Sequence, residues 1–333
     1  MIPPGLRYPP SVLAAISYPP IPIWEIGPLN LSLHGVFAGV GFVVGAILML
    51  REVRRRGFDA DKVASVLTWA LVASLLGARF FTVPAHIGDP GYGIGDALSL
   101  AGDYSIIGGY VGGIIGGVVR MRMLQLSVLP LLDAAAPGLA IGAVVGRIGD
   151  LLIVEHLGSA TNFFLGYTVK GGYDISPQHD ALECAVGICG TYHHTALYDM
   201  IGAAVLLCVL LILRTRWDSR RYGQVFAVWG MWYGLQRFFI DFTRLGAARD
   251  GTVSDSVMGP FTGSQWGALA VAAIAFALFL RWRRNPVVSS PNDAAMGADN
   301  GLPATVTATG DGNGGGYGLD DEGDLVGSDD GGG

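Results

Sequence analysis

Seven apolar stretches, each of about the length needed to cross a bilayer, constrain this 333-residue chain more than any other feature of its sequence. A transmembrane helix needs about 20 mostly apolar residues, because each residue advances a helix by only about 1.5 Å. The stretches lie at about Leu31–Leu50, Val63–His86, Ser105–Leu124, Leu129–Ile153, Ala196–Leu213, Gln224–Phe242 and Gln265–Leu280. With 51 % hydrophobic and 14 % charged residues, the chain is predicted to be an all-α integral membrane protein with about seven transmembrane helices.

Glycine is unusually abundant inside these stretches, as in the run from Ile106 to Val119. Small residues allow the backbones of neighbouring membrane helices to approach closely. We therefore expect the helices to pack through glycine-rich faces.

Basic residues predict how the chain is oriented in the membrane. Fourteen of the 21 basic residues fall in four clusters, which follow the first, third, fifth and seventh apolar stretches. The clusters are Arg51–Lys62, Arg120–Arg122, Arg214–Arg221 and Arg281–Arg284. All four therefore lie on one side of the membrane, and the positive-inside rule identifies that side as cytoplasmic. We expect the N-terminus to be outside and the C-terminus to be in the cytoplasm.

The chain divides into three predicted regions: an external N-terminal segment (1–30), a membrane domain (31–284) with an external loop (155–195), and a tail (285–333). The tail contains nine acidic residues, no Lys or Arg and many glycines, so we expect it to be disordered. The first residues do not form a charged segment followed by an apolar segment, as in a cleaved signal peptide, so the first helix should remain in the mature protein. Nothing in the composition indicates nucleic-acid binding.

The cysteines agree with this topology. Cys184 and Cys189 lie in the loop predicted to be external, where an oxidising environment would allow a disulfide. Cys208 lies inside an apolar stretch and is predicted to contribute to packing. Histidines flank the external cysteines, but their spacing matches no standard zinc pattern, and we predict no metal and no organic cofactor.

Charged residues gather at the predicted outer ends of four membrane helices. The segments are Leu76–Phe81, Gly146–Gly158, His193–Asp199 and Tyr233–Arg244. A charge near the middle of a bilayer costs on the order of 3 kcal/mol, so such residues usually face a bundle interior or a watery cavity. Within the last segment, Arg237, Asp241 and Arg244 share one helix face and can pair.

Two interpretations of these charges remain open. They are either structural ion pairs near the interface, with arginines extending toward water, or a binding site for an anion. Arginines at the same depth on three or four helices favour the second interpretation. A guanidinium group matches phosphate oxygens in bidentate fashion, so an anionic lipid headgroup is the simplest ligand.

The stretch GRIGDLLIVEHLG resembles the signature G-R-x-G-N-F-x-N-G-E-x-x-G of bacterial prolipoprotein diacylglyceryl transferases. The matching residues are Gly146, Arg147, Gly149, Glu155 and Gly158. The asparagines of the pattern are replaced by Asp150 and Ile153.

Two further segments resemble the same family. HHTALYD is similar to H-P-S-Q-L-Y-E, with His193, Leu197 and Tyr198 matching and Asp199 in place of glutamate. YGLQRFFIDFTR is similar to Y-G-x-x-R-x-x-x-E-x-x-R and keeps Tyr233, Gly234, Arg237 and Arg244, with Asp241 in place of glutamate. The likeness extends from about Leu31 to Arg284.

Two departures from the family bear on chemistry. His34 stands where the family commonly has tyrosine. The third span of the family usually begins with H-G-G, whose histidine has been assigned a role in activating the thiol; here Ile107 occupies that position, followed by Gly108. His34 is the candidate for a substitute base.

The resemblance implies a multi-pass enzyme of the bacterial cytoplasmic membrane. It would transfer the diacylglyceryl group of phosphatidylglycerol to the lipobox cysteine in a prelipoprotein signal peptide and release glycerol phosphate. It implies catalytic roles for Arg147 and Arg237 on the phosphate, and for Glu155 and Tyr233. His34, which departs from the family, is our own candidate for the catalytic base. Residues expected to orient these groups or to bind substrate are Arg79, Gly108, Asp150, Gly158, Tyr198, Asp199, Asp241 and Arg244.

One alternative belongs to another functional class. A lipid-binding membrane protein could have kept the headgroup site and lost the base, and Ile107 favours this interpretation. A small-solute transporter is a weaker alternative, because the sequence shows no internal repeat.

Overall fold

The structure is a computed structural model that describes residues 16–22, 24–26, 29–83, 93, 95, 105–173, 188–216, 222–249 and 257–284. Most of the predicted external N-terminal segment and the whole acidic tail lie outside these residues. The described residues belong mainly to the membrane domain and to the external segments attached to it.

Seven long helices make up most of the described part, one for each apolar stretch of the sequence. They are α1 (Leu33–Arg55), α2 (Ala60–Phe80), α3 (Ile106–Met123), α4 (Val128–Ile153), α5 (Thr195–Arg216), α6 (Gln224–Arg249) and α7 (Gly263–Arg284). Five of these described helices, α1, α2, α4, α5 and α7, are long and apolar enough to cross a membrane. The predicted helical membrane architecture is confirmed to that extent, while seven crossings and their orientation stay predictions.

Side-chain caps explain where several helices begin. The hydroxyl of Ser32 accepts a hydrogen bond from the amide of His34, and Ser105 accepts one from the amide of Gly108. Asp59 likewise caps the start of α2. Such caps satisfy amide groups that have no partner within the helix.

Glycines allow the helices to pack backbone against backbone. On α1 and α4, a β-carbon at Gly45 would lie 2.5 Å from the carbonyl oxygen of Gly138, and one at Gly41 would lie 2.6 Å from that of Gly142. Any larger residue would force the two helices apart. The α2–α3 pair is packed in the same way, which confirms the expectation of glycine-rich contacts.

Buried carboxylates connect the helices at the end of the bundle that is predicted to be cytoplasmic. Glu52 on α1 forms ion pairs with Arg56 (2.8 Å) and with Arg214 on α5 (2.9 Å). Asp133 on α4 accepts hydrogen bonds from the amides of Gly223 (2.7 Å) and Phe226 (2.9 Å) and so caps the start of α6. These contacts fix the relative positions of α1, α4, α5 and α6, which also carry the site at the other end.

Short strands, which the sequence analysis did not predict, lie at the opposite end. They are β1 (Trp24–Ile26), β2 (Leu29–Leu31), β3 (Leu157–Ala160), β4 (Tyr167–Lys170), β5 (Ile188–His194), β6 (Val257–Met258) and β7 (Phe261–Thr262). They form antiparallel hairpins β1–β2 and β6–β7, and a three-stranded antiparallel sheet in the order β3–β5–β4. This sheet connects α4 to α5 and packs around the buried side chains of Val154, Leu157, Tyr167 and Val169.

The structure supports the cysteine predictions only in part. Cys189, on β5, is disulfide-bonded, as expected for an external cysteine. Cys208 on α5 is free but exposed, so its predicted contribution to packing is not supported. The predicted partner, Cys184, lies outside the described residues.

Candidate functional site

The close approach of α1 to the end of α4 creates the first contact of the site. A β-carbon at Gly149 would lie 2.6 Å from the carbonyl oxygen of Leu33 and 2.9 Å from the α-carbon of His34, so only glycine fits there. This approach brings Nδ1 of His34 into a hydrogen bond with Oδ1 of Asp150, two residues that are 116 positions apart in the chain. The side chain of Asp150 is 1 % exposed, whereas that of His34 is 43 % exposed.

Arg147 joins two carboxylates from different helices. Its Nη1 lies 2.5 Å from Oδ2 of Asp150, one turn along α4, and its Nη2 lies 2.5 Å from Oδ2 of Asp199 on α5. Charge-assisted contacts of this length are among the stronger hydrogen bonds in proteins. Arg147 is therefore held in one orientation at the centre of the site.

The polar network continues from α5 to α6. Nε2 of Gln236 donates to Oδ1 of Asp199 at 2.9 Å, and the indole Nε1 of Trp232 donates to Oε1 of Gln236 at 2.8 Å. One continuous chain of contacts thus runs from His34 through Asp150, Arg147 and Asp199 to Gln236, and it links α1, α4, α5 and α6. We call this chain the central network.

A second group of charges lies on α6. Nη2 of Arg237 is 3.2 Å from Oδ1 of Asp241, as their spacing of four residues predicted. The side chain of Asp241 is completely buried, and Arg244 on the same helix is 7 % exposed. Asp241 and Arg244 thus lie within the protein, while the side chain of Arg237 is 24 % exposed.

Aromatic side chains border these charges. Tyr233 stacks on Trp229, with ring centroids 5.7 Å apart, and meets Tyr110 of α3 edge to face at 5.2 Å. Tyr233 also interacts electrostatically with Arg237 and Asp199. The Tyr198 hydroxyl instead contacts Nδ1 of His193 at 3.2 Å, toward the three-stranded sheet.

The loop after α4 brings two further ionisable groups to the site. Oε2 of Glu155 lies 3.9 Å from Nδ1 of His34 and 4.0 Å from Nε2 of His156. Burial raises the pKa of the Glu155 carboxyl, and it lowers the pKa of His156 to about 4, so the imidazole is neutral at pH 7. Val154 and His156 have φ angles of 56° and 63°, a conformation that non-glycine residues adopt only at a cost.

Three side chains of the site have the chemistry and spacing of metal ligands. One ligand atom each of His34, Asp150 and Glu155 lies within 4.8 Å of the others. A nitrogen and two carboxylate oxygens would suit a zinc-class ion. Asp150 already contacts His34 and Arg147, however, and these contacts account for the geometry without an ion.

Some of the residues predicted for the site lie against other parts of the protein. A β-carbon at Gly108 would lie 2.4 Å from the carbonyl oxygen of Gly77, so this glycine serves the α2–α3 contact. Gly158 lies where β3 contacts α6, and a β-carbon at this position would lie 2.6 Å from the carbonyl oxygen of Thr243. Arg79 is buried at the end of α2. Direct substrate contacts of these three residues stay predictions.

Two residues of the site were missed by the sequence analysis. Gln236 precedes Arg237 directly and bridges Asp199 to α6, and its position inside the quoted motif was the only available signal. His156 follows Glu155, but nothing in the sequence indicated its left-handed backbone or its proximity to arginines of α4 and α6.

Comparison with known proteins identifies the family. Residues 22–282 match the family model described as prolipoprotein diacylglyceryl transferase. The chain belongs to this family. Among its relatives, a phosphatidylglycerol–prolipoprotein diacylglyceryl transferase of Halalkalibacterium halodurans is 31 % identical over 227 residues, which cover 66 % of this chain and 74 % of the relative.

Two other relatives with the same name match at 28 % identity. The protein of Frankia alni aligns over 292 residues, 86 % of this chain and 73 % of its own length. That of Listeria monocytogenes aligns over 268 residues, 79 % of this chain and 90 % of its own length. The match to the family model, at residues 22–282, extends over nearly all of the membrane domain and includes every segment that contributes to the central network.

Proposed function

We propose that this protein transfers the diacylglyceryl group of phosphatidylglycerol to the cysteine thiol of a prelipoprotein lipobox and releases glycerol phosphate. The observation that carries the proposal is the central network. It joins the residues at three family-motif positions, Arg147, Asp150 and Asp199, into one set of contacts at one end of the bundle. The names of the relatives support the reaction.

The proposal includes a topology. All seven helices would cross the cytoplasmic membrane of a bacterium, with the N-terminus and the three-stranded sheet outside. The basic clusters on alternate connections support this orientation, and the disulfide at Cys189 is consistent with an external, oxidising environment. The site would then open toward the outer leaflet, where lipid and signal peptide can both reach it.

Arg147 and Arg237 are proposed to hold the lipid phosphate. A guanidinium has five N–H groups, and each of these arginines uses only one or two of them in the ion pairs described above. The remaining N–H groups can bind phosphate oxygens. Preorganised donors of this kind stabilise negative charge as it develops, which is commonly the largest contribution to catalysis.

His34 is proposed to take the proton of the lipobox thiol. An ordinary thiol has a pKa of about 8.5 and is mostly protonated at neutral pH, so a base accelerates the reaction. Because Asp150 binds Nδ1 of His34, the imidazole would carry its proton there and present Nε2 as the acceptor. The partial exposure of His34 supports access by a substrate.

The proposed reaction is then balanced. The thiol proton passes to Nε2 of His34, and the thiolate attacks the glyceryl carbon that bears the phosphate. A carbon–sulfur bond forms as the carbon–oxygen bond breaks, and the bonding electron pair leaves with the phosphate oxygen. Arg147 and Arg237 neutralise the charge of the departing glycerol phosphate, while Asp199 and Gln236 keep Arg147 in place.

The test is to incubate purified protein with phosphatidylglycerol and a lipobox peptide and to look for a diacylglyceryl mass increment on the cysteine. Transfer by the wild-type protein supports the proposal. If the wild type transfers nothing and Ile107→His creates transfer, the lipid-binding alternative is correct.

A further inference from the structure

His156 is the one imidazole near the arginines that the proposed reaction leaves unused in the described part of the chain, and its side chain is 25 % exposed. Its Nδ1 is buried and has no hydrogen-bond partner among the described residues. Its Nε2 lies 4.0 Å from Oε2 of Glu155, which is beyond hydrogen-bond distance. Leaving a buried polar nitrogen unpaired costs free energy, so native proteins rarely do so without a reason.

The backbone around His156 is held in a costly conformation. Its φ of 63° lies in the left-handed region, which few non-glycine residues adopt, although Asn, Asp and His do so more often than the others. The hydroxyl of Thr195, at the start of α5, donates to the carbonyl oxygen of His156 and fixes this conformation. Strain of this kind concentrates at functional sites, where surrounding contacts maintain it.

Charges of both signs surround the imidazole. His156 interacts electrostatically with Asp150 and Arg147 of α4 and with Arg237 and Arg244 of α6, and Glu155 is its neighbour in the chain. A protonated imidazole would be repelled by these guanidinium groups, and burial disfavours the charged form as well. His156 is therefore a neutral hydrogen-bonding group beside three arginines, which outnumber the two neighbouring carboxylates and favour an anionic ligand.

We propose that Nδ1–H of His156 donates a hydrogen bond to a phosphate oxygen of the lipid headgroup and of the departing glycerol phosphate. This inference rests on the proposed function, because it places the phosphate between Arg147 and Arg237. A neutral donor adds a directional contact without adding charge. It also satisfies the nitrogen that the described residues leave unpaired.

The inference is tested with glycerol 3-phosphate as a probe, titrated into the purified full-length protein by calorimetry. His156→Leu and His156→Gln are matched variants, because the two side chains are similar in size and meet the same backbone penalty at φ 63°. Only glutamine retains an N–H donor. We expect the dissociation constant to rise about tenfold or more in His156→Leu and by no more than about threefold in His156→Gln.

His194→Gln is the control, because His194 is a buried imidazole that contacts the Tyr18 hydroxyl at 3.1 Å rather than the arginines. Its affinity for the probe should equal that of the wild type. Wild-type affinity in His156→Leu would overturn the inference. A wild type that binds the probe but transfers no lipid would refute the proposed reaction and leave the contact of His156 standing; a wild type that binds no probe would refute both.

Discussion

Replacing Asp150 by asparagine removes the carboxylate that holds His34 and Arg147 together. The side chain is almost fully buried and accepts from two donors, Nδ1 of His34 through Oδ1 and Nη1 of Arg147 through Oδ2. An asparagine has a single side-chain oxygen, so it cannot accept from both donors through separate atoms. At most one of the two donors can keep an oxygen of its own, so the paired arrangement is weakened, although asparagine is the residue of the family pattern.

The expected magnitude follows from these contacts. A hydrogen bond to a charged group contributes about 1.5–3 kcal/mol, which corresponds to a roughly 10- to 100-fold change. We expect Asp150→Asn to lower turnover at pH 7 by that factor. Adding Ile107→His to Asp150→Asn should restore much of the activity, because the base would again come from the start of α3 as in the family.

The assay is the initial rate of thioether formation on a lipobox peptide, measured by mass spectrometry at saturating phosphatidylglycerol. Asp59→Asn is the control, because Asp59 caps α2 at the opposite end of the bundle, and its rate should be unchanged. If Asp150→Asn is as active as the wild type, the pairing of His34 with Asp150 has no part in catalysis.

Three further predictions concern recognition and stability. Arg147→Lys should recover little of the lipid affinity lost in Arg147→Ala, because ammonium lacks the guanidinium fork; equal affinity of the lysine variant and the wild type in a vesicle-binding assay would contradict the phosphate clamp. Gln125→Gly should raise the free energy of unfolding by about 1 kcal/mol, because Gln125 is exposed after α3 with φ 56°, a left-handed conformation that glycine adopts without cost. Gln125→Ala should not raise it, and equal shifts of the thermal unfolding temperature in the two variants would refute this explanation. His194 is neutral when folded, because burial lowers its pKa to about 4, while the unfolded state binds a proton below about pH 6.5. Its contribution to stability is therefore complete above pH 6.5 and falls by about 2 kcal/mol at pH 5. His194→Gln should weaken this loss of stability between pH 7 and pH 5, and an unchanged pH dependence in thermal unfolding would contradict it.

The sequence predicted the helices well, because each membrane helix carries its own signal in about 20 apolar residues. The strands carry no comparable signal. The strand β3, for example, has only four residues, Leu157–Ala160, and two of them are glycine and serine. Its pairing with β5 depends on residues more than 30 positions away, which periodicity cannot reveal.

The sequence predicted which residues belong to the site better than it predicted the contacts among them. Arg147, Asp199 and Arg237 lie in recognisable motifs, but the contact between His34 and Asp150 depends on Gly149, where only a glycine lets α1 approach. Gly108 also stood in a motif, yet it packs α3 against α2. A motif indicates which residue type is required at a position, but it does not show whether that residue is needed for packing or for chemistry.

The proposed reaction is tested most directly by its stoichiometry. Phosphatidylglycerol with an isotopic label in the headgroup glycerol would be incubated with purified protein and a lipobox peptide, and both products would be quantified by mass spectrometry. We expect one labelled glycerol phosphate to be released for each diacylglyceryl thioether formed, and none from a peptide whose cysteine is replaced by serine. Release of glycerol phosphate without thioether, or no release of it with the cysteine peptide, would contradict the proposed transfer.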